Sequence, residues 1–124
     1  MDAGTAVIAR SWRAVATVDG ARRYEDHFRV TVLPALRALH GFHIAYLMRR
    51  DDDDTVRIHV LTLWESMAAI TRFAGDTPRA AVVEPAARAA LLSFDETVEH
   101  YEAQAMASRS VAETAARAPG TDAP

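Results

Sequence analysis

The chain has 124 residues, 50% of them hydrophobic, which is enough for one core and leaves little room for a second catalytic domain. A formal charge of -3 and a pI near 5.9 give no general attraction for nucleic acid or anionic lipid, so neither is expected as a partner. Cysteine is absent, which excludes disulfides, thiolate metal sites and cysteine nucleophiles.

From Thr5 to Thr17 the run TAVIARSWRAVAT alternates as a first strand, with Val7, Ala9, Ser11 and Arg13 on one face and Ala6, Ile8, Arg10 and Trp12 on the other. Asp19 is expected to cap a helix reaching about Leu39, whose stripe is Tyr24, Phe28, Val32, Ala35, Leu36 and Leu39. Pro34 lies inside that pattern and should kink or interrupt it. FHIAYLMRR then reads as a second strand, with Phe42, Ile44, Tyr46 and Met48 on one face and His43, Ala45, Leu47 and Arg49 on the other. Asp51 to Asp54 form a turn, because four adjacent carboxylates cannot be buried together. TVRIHVLTLW follows as a third strand, alternating Val56, Ile58, Val60, Thr62 and Trp64 against Arg57, His59, Leu61 and Leu63.

Ser66 should cap a helix that stops at Gly75, and Pro85 should open a short helix to about Leu92. A last strand is expected from about Phe94 through FDETVEHYEA. The order is the βαββαβ plan of an α+β, ferredoxin-like antiparallel sheet with helices on one face. Ile8, Trp12, Leu47, Leu61 and Leu63 are expected on the opposite face, where a second copy of the chain would cover them most economically. Residues 1–103 are read as the domain and 104–124 as an Ala-rich tail, partly helical to about Arg117 or disordered. The first residues show no basic region followed by an apolar stretch and no run is long enough to span a bilayer, so a cytoplasmic protein is expected.

The segments IARSWR, HGFHIAYLMRR and LTLWESMAAITRFAG, followed by DTPRAAVVEPAARAALLSFDETVEHYE, resemble the antibiotic-biosynthesis monooxygenase family of dimeric α+β barrels over about residues 5–103. The resemblance implies a homodimer whose sheets pack into a barrel, with a small-molecule pocket between sheet and helices in each copy. Members include cofactor-independent oxygenases of aromatic polyketides and haem-degrading monooxygenases, and related barrels include polyketide cyclases. Trp64 matches the Trp of the family's W-E-S motif. The Asn four residues before that Trp and the Tyr six after it, found in the polyketide oxygenases, are replaced by Val60 and Ile70. The haem-degrading set is replaced too, with Arg13 at its Asn, Phe73 at its second Trp and Val83 near its axial His.

The face bearing Trp64 and Thr62 is assigned to the pocket, with Arg13 expected beside it as an anchor for a carboxylate, phenolate or enolate. Arg13 could equally be an ion-paired sheet-edge residue, and Trp64 either a stacking surface or core. Tyr24 and His27, one helical turn apart, are an acid–base pair or simply a packed ring beside an exposed one, and Tyr46 carries the same ambiguity. The candidate catalytic residues are therefore Trp64, Arg13 and His27, with Tyr24, Tyr46, Thr62 and Phe73 contacting substrate. No cofactor is called for. His43 and His59 lack a third ligand at a recognisable spacing, so no metal is expected and a structural polar cluster is preferred. The functional expectation is a cofactor-independent monooxygenase acting on an aromatic or polyketide-like compound. The alternatives are a cyclase or isomerase on the same barrel and a non-catalytic dimeric ligand-binding or accessory protein.

Overall fold

A computed structural model describes residues 6–109. Its elements run β1 (Val7–Thr17), α1 (Val18–His27), a π-helical turn (Phe28–Val32), α2 (Leu33–Arg37), β2 (Phe42–Asp52), β3 (Thr55–Trp64), α3 (Met67–Ala74), α4 (Pro85–Ala90), β4 (Ser93–Phe94) and β5 (Glu99–Ala103). The sheet is antiparallel in the order β2-β3-β1-β4, with β5 also pairing β1, so the first strand is central and the ferredoxin-like α+β plan holds. The expected last strand is divided into β4 and β5, which both add to the same edge of β1. Among the described residues regular structure ends at Ala103, and most of the expected tail helix lies outside them. Among the described residues, no helix is long and apolar enough to cross a membrane.

Local chemistry explains most element ends. The first helix is capped by Thr17, whose hydroxyl accepts from the Gly20 N–H at 2.9 Å, and not by Asp19 as expected. Asp19 instead sits in the first turn, where its carboxylate pairs with Arg22 and Arg23 on the exposed side. Pro34 has no N–H to give and its ring would crowd the carbonyl one turn earlier. The helix meets this with a π turn immediately before Pro34, closed by Leu33 N–H to Phe28 carbonyl, so Pro34 falls in the first turn of a new α segment. Ser66 caps α3 through Ala69 N–H, and Gly75 ends it at φ 82°. The β2–β3 turn narrows to Asp53-Asp54, with Asp53 at φ 57°.

Strand register decides what faces the helices. Opposite β3, Ile8 pairs with Trp64, Arg10 with Thr62, Trp12 with Val60, Ala14 with Ile58 and Ala16 with Val56. Directly paired residues share a face, so this row forms the sheet side of the core. Trp64, Ile58, Ile70, Leu36 and Val56 are its largest fully buried side chains. Ala9, Ser11 and Arg13, expected beside Trp64, therefore point to the opposite face. Arg10 and Trp12 take their place.

On β2 a bulge at Phe42–Ile44 changes the count. Phe42 packs edge-on against Trp64 on the helix side, whereas Ile44, Tyr46 and Met48 emerge on the other. The face away from the helices is thus built by Ile44, Tyr46, Met48, Leu61, Leu63 and Tyr101. Ile8, Trp12 and Leu47, expected there, pack into the helix-side core instead. Ile44, Tyr46, Met48 and Tyr101 are each at least 38% exposed, so this face presents a group of apolar side chains to solvent.

Candidate functional site

Between the sheet and the first helical segments lies a cavity of about 100 Å³. β1 contributes Arg10 and Trp12, and β3 contributes Val60 and Thr62. Tyr24 and His27 enter from α1, Phe28, Thr31 and Val32 from the π turn, and Phe73 from α3, while Glu84 closes one side from the segment before α4. Rings dominate the wall. Trp12 lies 5.8 Å from Tyr24 between ring centroids, and its indole N–H donates to the Asp95 carbonyl at 2.8 Å, which fixes the ring in place.

Four ionisable groups meet this apolar space, Arg10, Tyr24, His27 and Glu84. The Arg10 guanidinium is held by backbone: Nη1 donates to the Pro78 carbonyl at 2.6 Å and Nη2 to the Ala80 carbonyl at 3.0 Å. Burial pulls its pKa down to about 10, which still leaves it protonated at neutral pH. Burial acts in the other direction on Tyr24 and pushes its phenol above the usual range, so Tyr24 keeps its proton and can act only as a neutral donor or acceptor. His27 Nε2 is 3.1 Å from a Glu84 carboxylate oxygen, yet the angle does not make a hydrogen bond. Proximity without alignment leaves that buried nitrogen without a directed partner. The Glu84 side chain is half-exposed, so its carboxylate can swing without a large desolvation cost.

Of the residues expected to form the site, His27, Tyr24, Thr62 and Phe73 converge on the cavity. Trp64 does not line it. It is fully buried behind the wall, its indole N–H given to Thr62 Oγ1 at 2.8 Å and its ring packed between Phe42 and Phe73. Arg13 and Tyr46 are on the far side of the sheet and exposed, because β1 pairs with β3 in the opposite parity and because β2 carries the bulge. On that far face His59 Nε2 lies 2.7 Å from Ser11 Oγ, and burial together with nearby Arg13 lowers its pKa. His43 is exposed at the bulge. Among the described residues no group of three or more His, Asp or Glu could hold a metal.

Arg10, Trp12 and Glu84 are the charged and large aromatic cavity residues that sequence reasoning missed, and Thr31 and Val98 were not foreseen either. The apolar row Ile8, Trp12, Ala14, Ala16 was a signal for the first two. Glu84 comes from a stretch without periodicity and had none.

No protein-family model matches the chain, and no curated protein matches it in sequence. Solved structures do match. A protein of unknown function from Nitrosomonas europaea superposes with a TM-score of 0.58 at 20% identity, covering 86% of this chain and 98% of that one. The same fold is shared with two solved proteins described as a monooxygenase and an oxygenase. A candidate antibiotic biosynthesis monooxygenase from Bacillus cereus matches with a TM-score of 0.51 at 12% identity over 86% of this chain and 99% of its own. SnoaB, a cofactor-independent oxygenase from Streptomyces nogalater, matches with a TM-score of 0.52 at 19% identity over 83% of this chain and 96% of its own. At such identities the monooxygenase-like architecture is shared, and the chemistry has to be argued from the side chains.

Proposed function

We propose that this chain is a monooxygenase-like enzyme that oxidises an aromatic compound in the cavity, with the substrate's own electrons reducing oxygen. The observation that carries this is the meeting of three features in one ring-lined space: a protonated arginine, a buried imidazole nitrogen without a directed partner, and a phenol that keeps its proton. The chemistry needs those parts and little else. A phenolic substrate gives its O–H proton to His27, and Arg10 and Tyr24 stabilise the resulting oxyanion. The electron-rich ring carbon then bonds to one atom of O2. The other oxygen atom leaves as water, carrying the hydrogen from that carbon and the proton, and the product is a quinone with one oxygen more and two hydrogens fewer than the phenol. SnoaB, with the same architecture, is a cofactor-independent oxygenase, which supports the oxygen-using version of this reading.

The experiment is an oxygen-electrode survey of phenols, quinols and anthrones with product mass recorded. Oxygen uptake with a matching mass gain is expected. Replacing His27 by Gln should lower turnover by about 10²- to 10⁴-fold, the usual contribution of a positioned acid–base group. No uptake with any compound in the survey would overturn the reading. Product formed without oxygen gain would move it to cyclisation or isomerisation, which uses the same proton-transfer parts.

We further propose that the chain acts as a homodimer through the face of Ile44, Tyr46, Met48, Leu61, Leu63 and Tyr101. Its support is the apolar surface left uncovered there. Light scattering should then give about twice 13.6 kDa.

A further inference from the structure

Arg10 is a positive charge inside the cavity with no acidic partner among the described residues. The residue is 5% exposed and lines the cavity from the central strand. A guanidinium carries five N–H groups. Two go to the Pro78 and Ala80 carbonyls, and Nη1 also faces His100 Nε2 at 3.1 Å. The Nε–H and one N–H of Nη2 make no hydrogen bond to any described residue.

His100 cannot balance the charge. Burial and then the neighbouring Arg10 and Arg79 push its pKa below the usual value, so it stands neutral and offers only a lone pair. No described carboxylate forms an ion pair with Arg10, and Glu84, the acidic residue of the wall, lies against His27 instead. The guanidinium is further flanked by Phe73, whose ring centroid is 5.7 Å from its central carbon, so one side is an aromatic face and not a counter-ion. A buried charge without an opposite partner is costly, and an anion delivered into the cavity would relieve that cost.

Size narrows the choice. A dry apolar cavity of about 150 Å³ admits benzene. The present cavity is about 100 Å³, so without rearrangement of its walls it takes at most one ring, partly in the mouth.

We infer that the cavity selects a small organic monoanion, a carboxylate or phenolate no larger than one six-membered ring, with its charged oxygen on the free N–H groups of Arg10 and its apolar body against Trp12 and Phe73. This rests on the cavity being the ligand site, and it sharpens that reading from aromatic compounds in general to single-ring acids. Fused tricyclic substrates are outside it.

Isothermal titration of the full chain with benzoate, benzamide and 2-naphthoate at neutral pH tests it. The three probes differ in charge at constant size, or in size at constant charge. Benzoate should bind at least about tenfold tighter than either of the others, the step expected for a charge-assisted contact. Arg10→Met should remove the preference over benzamide, while Arg13→Met, which deletes a cation on the far face, should keep it. The comparison among ligands on the native chain needs no variant, so it stands even if Arg10→Met does not fold. Equal binding of benzoate and benzamide would overturn the charge selection while leaving the cavity a ligand site. Equal binding of 2-naphthoate would overturn the size limit, and a benzoate preference that survives Arg10→Met would overturn the role of Arg10. Failure of all three probes to bind would overturn both the inference and the ligand site beneath it.

Discussion

Replacing Thr62 by Val tests whether the tryptophan behind the cavity is held by one hydrogen bond. The substitution keeps the shape and exchanges a hydroxyl for a methyl. Thr62 Oγ1 accepts from Trp64 Nε1 at 2.8 Å, and Trp64 is 0% exposed, so no water can replace the lost acceptor. Stranding a buried donor costs about 1–3 kcal/mol. Burying the extra methyl returns somewhat less than about 1 kcal/mol. The net loss should be about 1–2 kcal/mol, or a fall in Tm of roughly 4–10 °C for a domain of this size. Urea unfolding followed by far-ultraviolet circular dichroism at fixed protein concentration measures it. The decisive comparison repeats Thr62→Val in a Trp64→Phe background, where no indole N–H remains to be stranded. There the substitution should cost nothing or stabilise slightly, giving a coupling energy of about 1–3 kcal/mol. An equal cost in both backgrounds would refute the reasoning and place the effect of Thr62 elsewhere, at the cavity wall it also lines.

Other expectations follow from particular contacts. At Gly20 an added Cβ would meet the Ala90 carbonyl oxygen at 2.3 Å, so Gly20→Ala should lower stability by about 1–3 kcal/mol in thermal unfolding; an unchanged Tm would show that α1 and α4 are not packed backbone to backbone. His59 and His100 both have folded pKa values below the unfolded 6.5, with burial the leading cause. The unfolded chain therefore binds more protons as pH falls through 6.5, and stability should decrease from about pH 7.5 to about pH 5.5. Proton NMR of the imidazoles would contradict this if both titrated at or above their ordinary value. Tyr46→Arg puts a charge in the middle of the exposed apolar face and should shift light scattering to a mass near 13.6 kDa without changing the circular dichroism; a mass still near twice that would move the contact elsewhere.

Periodicity carried most of the fold. The β2–β3 hairpin, the Ser66 cap, the stop at Gly75 and the helix opened by Pro85 are all local signals, and each is where its chemistry puts it. The interruption at Pro34 was equally legible, although a π turn was not specified. What a period of two cannot give is which alternate set of one strand shares a side with which set of another. That depends on register, and Arg13 was placed beside Trp64 when the paired row actually brings Arg10 and Trp12 there. The apolar row of β1 argued for the right answer, but Arg10 interrupts it, and a buried arginine is the exception to every rule of sidedness. The site divided along the same line. His27, Tyr24, Thr62 and Phe73 lie on faces that single elements define, whereas Glu84 needs the path of an irregular segment. Trp64 could not be assigned to wall or core without knowing how its N–H is satisfied.

The surplus residue in β2 has a consequence for how this chain tolerates changes of length. Because Phe42 and Ile44 emerge on opposite sides, the strand supplies a ring to the interior at its start and side chains to the outer surface afterwards. Loss of His43 would make Phe42 and Ile44 neighbours, and because they already emerge on opposite sides, plain alternation would return with every side chain on its present face. A single missing codon at the bulge would therefore disturb little, as would one at the exposed Asp53-Asp54 turn, whereas the same loss at Leu47 would send one flank of the strand to the wrong face.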